Sequence, residues 1–191
     1  MSKGRLEAFS DAVIAIAITI MVLELVPPRG DTLTDLVTVW PTFLAYILSF
    51  IYLGLFWNNH HHLMQAAQAI SGRVLLANLF LLFWLSLVPF GSAWIGETGF
   101  ASLPLAVYGF ALLMAGFAYY LLVRALLACQ PAGSRLAEAI GGDTKGKLSL
   151  LAYFAGILLS FVAPPAAFAA YLAVAVVWFI PDRRMERIIG R

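Results

Sequence analysis

The sequence predicts an all-α membrane protein with six transmembrane helices in each chain, on three observations. Hydrophobic residues make up 62% of the 191 and charged residues 12%, with a mean hydropathy of +0.91. A soluble domain is nearer half apolar and a quarter charged. Six apolar runs follow one another, each near the length of about 20 residues that a span needs. The basic residues are also segregated along the chain in the way that membrane orientation requires.

The first run covers roughly residues 7–26 and stops at Pro27-Pro28. It ends in "LELVPPRG", with no small-x-small cleavage site, so it reads as a retained span and not a removed leader. The second runs from about 39 to 62 through "TFLAYILSFIYLGLFW". The third covers about 73–95 and the fourth about 100–127. The fifth and sixth, about 148–163 and 166–181, are "LSLLAYFAGILLSFVA" and "AAFAAYLAVAVVWFI", split by Pro164-Pro165. They are the shortest, and a five-span alternative would fuse or drop them. No loop is long enough for a soluble domain, so residues 1–191 form one membrane domain. Function then resides in the membrane or at its two faces.

With the N-terminus inside, the inner segments hold Lys3, Arg5, Arg73, Arg124, Arg135, Lys145, Lys147, Arg183, Arg184, Arg187 and Arg191. That is eleven of the twelve Lys and Arg, and the outer segments keep only Arg29. The asymmetry favours an even number of spans with both termini cytoplasmic. The single cysteine, Cys129, excludes an internal disulfide and reads as packing.

Polar groups inside spans are costly and are functional candidates by default. Ser10 and Asp11 lie near the inner end of the first span. "WNNHHH", Trp57 to His62, closes the second span at the same depth. A carboxylate and an imidazole placed together lower each other's burial cost. Three readings fit: a hydrogen-bond network that locks two helices, a proton or gating switch based on His, or a metal site. Three consecutive His point three ways from a helix, so at most two could serve one ion. No Cys partner or HExxH spacing supports a metal.

The first helix has a second pattern. At about 100° per residue, Ile16, Ile20 and Leu23 fall in one narrow stripe, with Thr19 beside them, Phe9 below and Arg5 at its inner end. Asp11 lies roughly 140° around from Ile16. The stripe faces either lipid, a neighbouring helix or an axis. Glu24, near the outer end, is within snorkelling reach of water. There is no TVGYG filter loop, no P-loop, no GxSxG nucleophile turn and no regular arginine spacing of a voltage sensor. No polar chain crosses the midplane as a proton-coupled carrier needs. Basic residues stand singly without aromatic interleaving, which gives no support for nucleic-acid binding.

"RLEAFSD", Arg5 to Asp11, has the form R-x-x-x-F-S-D at the start of the first span. It resembles the signature of the transmembrane protein 175 family of potassium channels, in its single-repeat prokaryotic form. "FWNNHHHL" in the second span and "ANLFLLFWLSLVPFGSAW" in the third are similar to that family too. The resemblance implies a multi-pass protein of a prokaryotic cell membrane that assembles as a homotetramer. It implies that the first helix lines a central pore for potassium and other monovalent cations, with no cofactor, no resident metal and no enzymatic activity. The apolar constriction would begin at Ile16, five residues after the motif's Asp, and continue through Thr19 or Ile20 to Leu23. Arg5, Ser10 and Asp11 would support the pore helix from behind, with His60 or His61 as partner. The rival expectation is a small proton-coupled carrier or membrane enzyme that uses Asp11 and the His60–His62 cluster.

Overall fold

The computed structural model describes residues 2–131, 134 and 144–179. They form eight helices and no strand. In chain order these are α1 (Lys3–Leu23), α2 (Leu33–Thr38), α3 (Trp40–Ala66), α4 (Gly72–Ser86), α5 (Val88–Thr98), α6 (Ser102–Leu127), α7 (Thr144–Ser160) and α8 (Pro164–Phe179). Most of the inner loop expected at 128–147, the end of the expected sixth span, and the basic residues Arg135, Arg183, Arg184, Arg187 and Arg191 lie outside the described residues.

Among the described residues four helical stretches are long and apolar enough to cross a bilayer: α1, α3, α4 continued by α5, and α6. The third is one span with a break. Pro89 has no N–H to give to Leu85, so the helical ladder fails there. The chain turns at Leu87, whose N–H bonds to the Trp84 carbonyl at 3.3 Å, and restarts as α5. The α7 and α8 helices have 17 and 16 residues. At 1.5 Å per residue their described residues reach about 25 Å, and residues 135–143 before α7 and 180–191 after α8 lie outside the described residues. They form a hairpin around the expected Pro164-Pro165 break.

Helix α2, unexpected from hydropathy, sits in the connection between α1 and α3. Thr32 and Asp35 form a reciprocal capping box at its start. The hydrogen bonds from Thr32 also hold the Asp35 carboxyl below its usual pKa. At the other end of the α4–α5 span, Gly99 and Phe100 both take positive φ, 60° and 65°. For Phe100 this is a strained choice. Its ring is held between Trp40, 5.5 Å away, and Phe168, 4.8 Å away, which ties the α5–α6 turn to α3 and α8.

The α1 helix packs on α3, α4 and α5, while α7 packs on α6 and α8. The two halves meet around buried tyrosines. Tyr52 of α3 donates to the Tyr171 carbonyl at 2.6 Å, and Tyr171 of α8 donates to the Leu105 carbonyl at 3.3 Å. The Tyr108 hydroxyl pairs with Ser49 at 3.0 Å. The Tyr171 ring fills a slot left open by Gly109 on α6 and Gly156 on α7, where any Cβ would overlap it. Between membrane helices, small residues of this kind replace the hydrophobic effect with close packing.

The slot yields a prediction. Gly109→Ala forces Tyr171 out of place, and overpacking of this kind costs about 1–3 kcal/mol. Gly54→Ala, where an added Cβ meets nothing within 4 Å, is the matched control and keeps or raises stability. Thermal melts followed by fluorescence-detected size exclusion should show the first variant lowered and the second not. Equal melting of the two would remove the slot from the account of the fold.

Candidate functional site

Helix α1 has two faces. Leu6, Ser10, Ile14, Ala17 and Met21 are buried, at the three- and four-residue spacing of a single stripe. The opposite stripe is uncovered: Ile16 is 56% exposed, Ile20 44% and Leu23 76%. Phe9, Arg5 and Thr19 are exposed along the same side.

The buried stripe is anchored by a directed chain of hydrogen bonds across three helices. His60 of α3 places Nε2 2.8 Å from Asn78 Oδ1 of α4. Asn78 Nδ2 donates to Ser10 Oγ of α1 at 2.9 Å. Ser10 then donates to the Leu6 carbonyl one turn earlier, at 2.9 Å. An amide oxygen only accepts, so His60 carries its proton on Nε2. Ser10, His60 and Asn78 are all buried, and each polar group in the chain finds its partner at hydrogen-bond distance.

Asp11 lies outside that chain. Its Oδ1 accepts from Trp57 Nε1 at 3.0 Å, and the Trp57 ring stacks on His61 with centroids 5.8 Å apart. Neither His60 nor His61 is hydrogen-bonded to Asp11, where the sequence reading looked for a histidine partner. Asn78 intervenes because its amide has both a donor and an acceptor, and so bridges an imidazole N–H to a hydroxyl. It lies within the "ANLF" stretch of the third apolar run, a single polar residue among apolar ones. The Arg5 side chain makes no hydrogen bond or ion pair among the described residues. Lys3 holds the N-terminal end of α1 instead. It donates to the Ala67 carbonyl at 3.0 Å, beyond the end of α3, and stands 3.9 Å from Glu7.

Thr19 turns its hydroxyl proton back into the helix, onto the Ala15 and Ile16 carbonyls at 2.9 Å each. The oxygen lone pairs are left on the exposed side. His62 Nδ1 is buried without a partner among the described residues. Among the described residues no three His, Cys, Asp or Glu gather into a metal site.

Comparison with known proteins places this arrangement. Residues 5–89, which include Ser10, Trp57, His60 and Asn78, match the model of the family described as "Endosomal/lysosomal potassium channel TMEM175". A potassium channel of Chryseobacterium sp. (strain P1-3) is 50% identical over 187 residues, 98% of this chain and 97% of that one. The crystal structure of a lysosomal potassium-selective channel TMEM175 homolog from Chamaesiphon minutus superposes with a TM-score of 0.82 at 26% identity, covering 93% of this chain and 96% of that one. The endosomal/lysosomal proton channel TMEM175 of Homo sapiens is 38% identical over 87 residues, 37% of this chain and 17% of that one. The likeness is to ion channels, not enzymes, which removes the enzyme reading of Asp11 and the histidines. With half of its residues shared along nearly the whole of a potassium channel, on a fold shared with a solved homolog, the chain is an integral multi-pass membrane protein of the TMEM175 family of ion channels.

Proposed function

We propose that four copies of the chain, each a single six-span domain over residues 1–191, surround an axis lined by α1. The assembly passes monovalent cations with a preference for potassium. The carrying observation is the division of α1, whose buried face is hydrogen-bonded into its own bundle while Ile16, Ile20 and Leu23 stand uncovered. Exposure alone would suit lipid equally well. The reading is supported further by the printed function of the relatives, which are named potassium channels in Chryseobacterium and potassium-selective in Chamaesiphon minutus.

On this reading rings of Ile16, Ile20 and Leu23 form the constriction. An apolar ring offers no ligands to replace a hydration shell, so it gates by width and dewetting. It favours the ion that sheds water more easily, which is potassium over sodium. Thr19 is the exception within the ring stack. Its proton is occupied by the backbone, so its oxygen can meet a passing cation as an acceptor. Potassium is a permeant ion here and not a resident cofactor. The basic end of the bundle, with Lys3, Arg5, Arg73 and Arg124, faces the cytoplasm of a prokaryotic cell, and both termini lie there.

Ile16→Asn is expected to raise conductance several-fold and to move the reversal potential under a potassium/sodium gradient toward zero. Planar-bilayer recording of purified protein measures both. Unchanged conductance and selectivity would take Ile16 out of the pore.

Asn78→Leu leaves His60 Nε2 buried without a partner and removes the bond that Ser10 Oγ accepts, although Ser10 still donates to the Leu6 carbonyl; an unpaired buried group costs about 1–3 kcal/mol. The expected outcome is loss of the monodisperse oligomer in size exclusion. A carrier that used this cluster chemically would instead keep its assembly and lose transport. Asp11→Asn separates the same two readings in the same assay. Animal relatives are named proton channels, so recording across a pH gradient with impermeant counter-ions measures whether protons share the path.

A further inference from the structure

We propose that the cleft between α3, α6, α7 and α8 holds one anionic glycerophospholipid per chain. This reading is independent of which ion the pore passes. The cleft is a narrow cavity of about 50 Å³ that opens to the surface on the flank away from α1, so it seats one part of a lipid and leaves the rest outside.

Its chemistry is graded along its depth. The inner wall is apolar and aromatic, with Leu55 and Phe56 of α3 facing Leu150 and Tyr153 of α7. The mouth is basic and amphipathic. Lys147 lines it and is exposed. Trp178 forms its side, fixed by donation from Nε1 to Ser149 Oγ at 2.8 Å and by the Lys145 ammonium 5.1 Å above its ring. Tyr120 also lines it, and Arg124, exposed one turn further along α6, shares its face. Trp and Tyr settle at headgroup depth in membranes, and Lys side chains reach toward it.

Charge selects the occupant. Among the described residues no carboxylate lines the cleft, and Lys147 and the Lys145 ammonium over Trp178 stand at its mouth. A phosphodiester headgroup without a cation of its own meets Lys147 favourably. A choline headgroup would bring a like charge against it. The apolar wall below takes an acyl chain. Gly116 lies on that wall, and a Cβ there would stand 3.1 Å from the tip of Leu150 and 3.7 Å from the Tyr153 ring.

The test is native mass spectrometry of the purified protein, titrated with an equal mixture of phosphatidylglycerol and phosphatidylcholine. One phosphatidylglycerol per chain is expected to persist in preference to phosphatidylcholine. Lys147→Gln, an exposed change that leaves the fold intact, should lower that preference about fivefold, the effect of one basic residue at an anionic surface. Gly116→Leu, checked for folding by size exclusion, should lose adducts of both lipids. Equal retention of the two lipids by the unaltered protein overturns the proposal, as does an unchanged preference in Lys147→Gln. If Gly116→Leu does not fold, the headgroup comparison alone decides.

Discussion

The hydrogen-bond chain from His60 through Asn78 to Ser10 is the constraint on which the arrangement of α1 depends. In lipid there is no hydrophobic drive to press one apolar helix on another, so an all-apolar α1 could rotate or slide with little penalty. Three buried polar groups remove that freedom. Each has an unsatisfied state that is expensive in hydrocarbon, and only one rotation of α1 satisfies all of them. The chain also runs through three separate helices, so it fixes the pairing of α1 with both α3 and α4. Lys3 adds a second fixed point at the inner end by closing on the Ala67 carbonyl.

The far half of the bundle is held differently. There Tyr171 stands between Gly109 and Gly156, and its hydroxyl and carbonyl are joined to Leu105 and Tyr52. Shape does most of the work, and the hydrogen bonds orient it. The two devices meet at α3, which gives Tyr52 to the tyrosine cluster and His60 to the polar chain two turns later. The α3 helix is therefore the structural spine. The broken α4–α5 span adds to it at the outer end, where Gly96 lets α5 approach the Thr42 backbone closely.

Much of this was legible in the sequence, and the omissions have physical causes. The four long apolar helices among the described residues begin and end within a few residues of the first four apolar runs, as expected where run length is matched to a bilayer. Hydropathy missed α2, whose signal is the capping pair Thr32 and Asp35 and not apolarity. It placed one continuous third span where Pro89 breaks the ladder, although a proline two residues past a turn is a readable warning. The α7 and α8 helices overlap the apolar runs expected as the fifth and sixth spans, with 17 and 16 described residues. At the site, Ser10, Asp11 and His60 stood out because polarity in an apolar run is conspicuous. Asn78 obeys the same rule and was overlooked inside a motif read as a block. Contact between helices is what sequence spacing cannot supply. Nothing in the register of α1 and α3 says that a residue of α4 comes between them, or that Trp57 and not an imidazole takes Asp11.

The polar face of α1 also decides what its apolar face can be. Helical geometry places Ile16 roughly 120° or more from Ser10 and Asp11, so once the hydrogen-bond chain fixes the rotation, the isoleucine stripe must point out of the protomer. The outward direction is thus a consequence of the inward bonds, and no attraction among the isoleucines is needed to produce it. This separates two demands that would conflict on one face. A constriction needs side chains of suitable width that hold no ion tightly, whereas an anchor needs groups that bind their partners strongly. Putting the strong groups behind the helix and the weak ones in front lets the front vary in size without loosening the bundle. Ion preference can then be tuned at Ile16, Ile20 and Leu23, while the position of the helix is set by Ser10, Asn78 and His60.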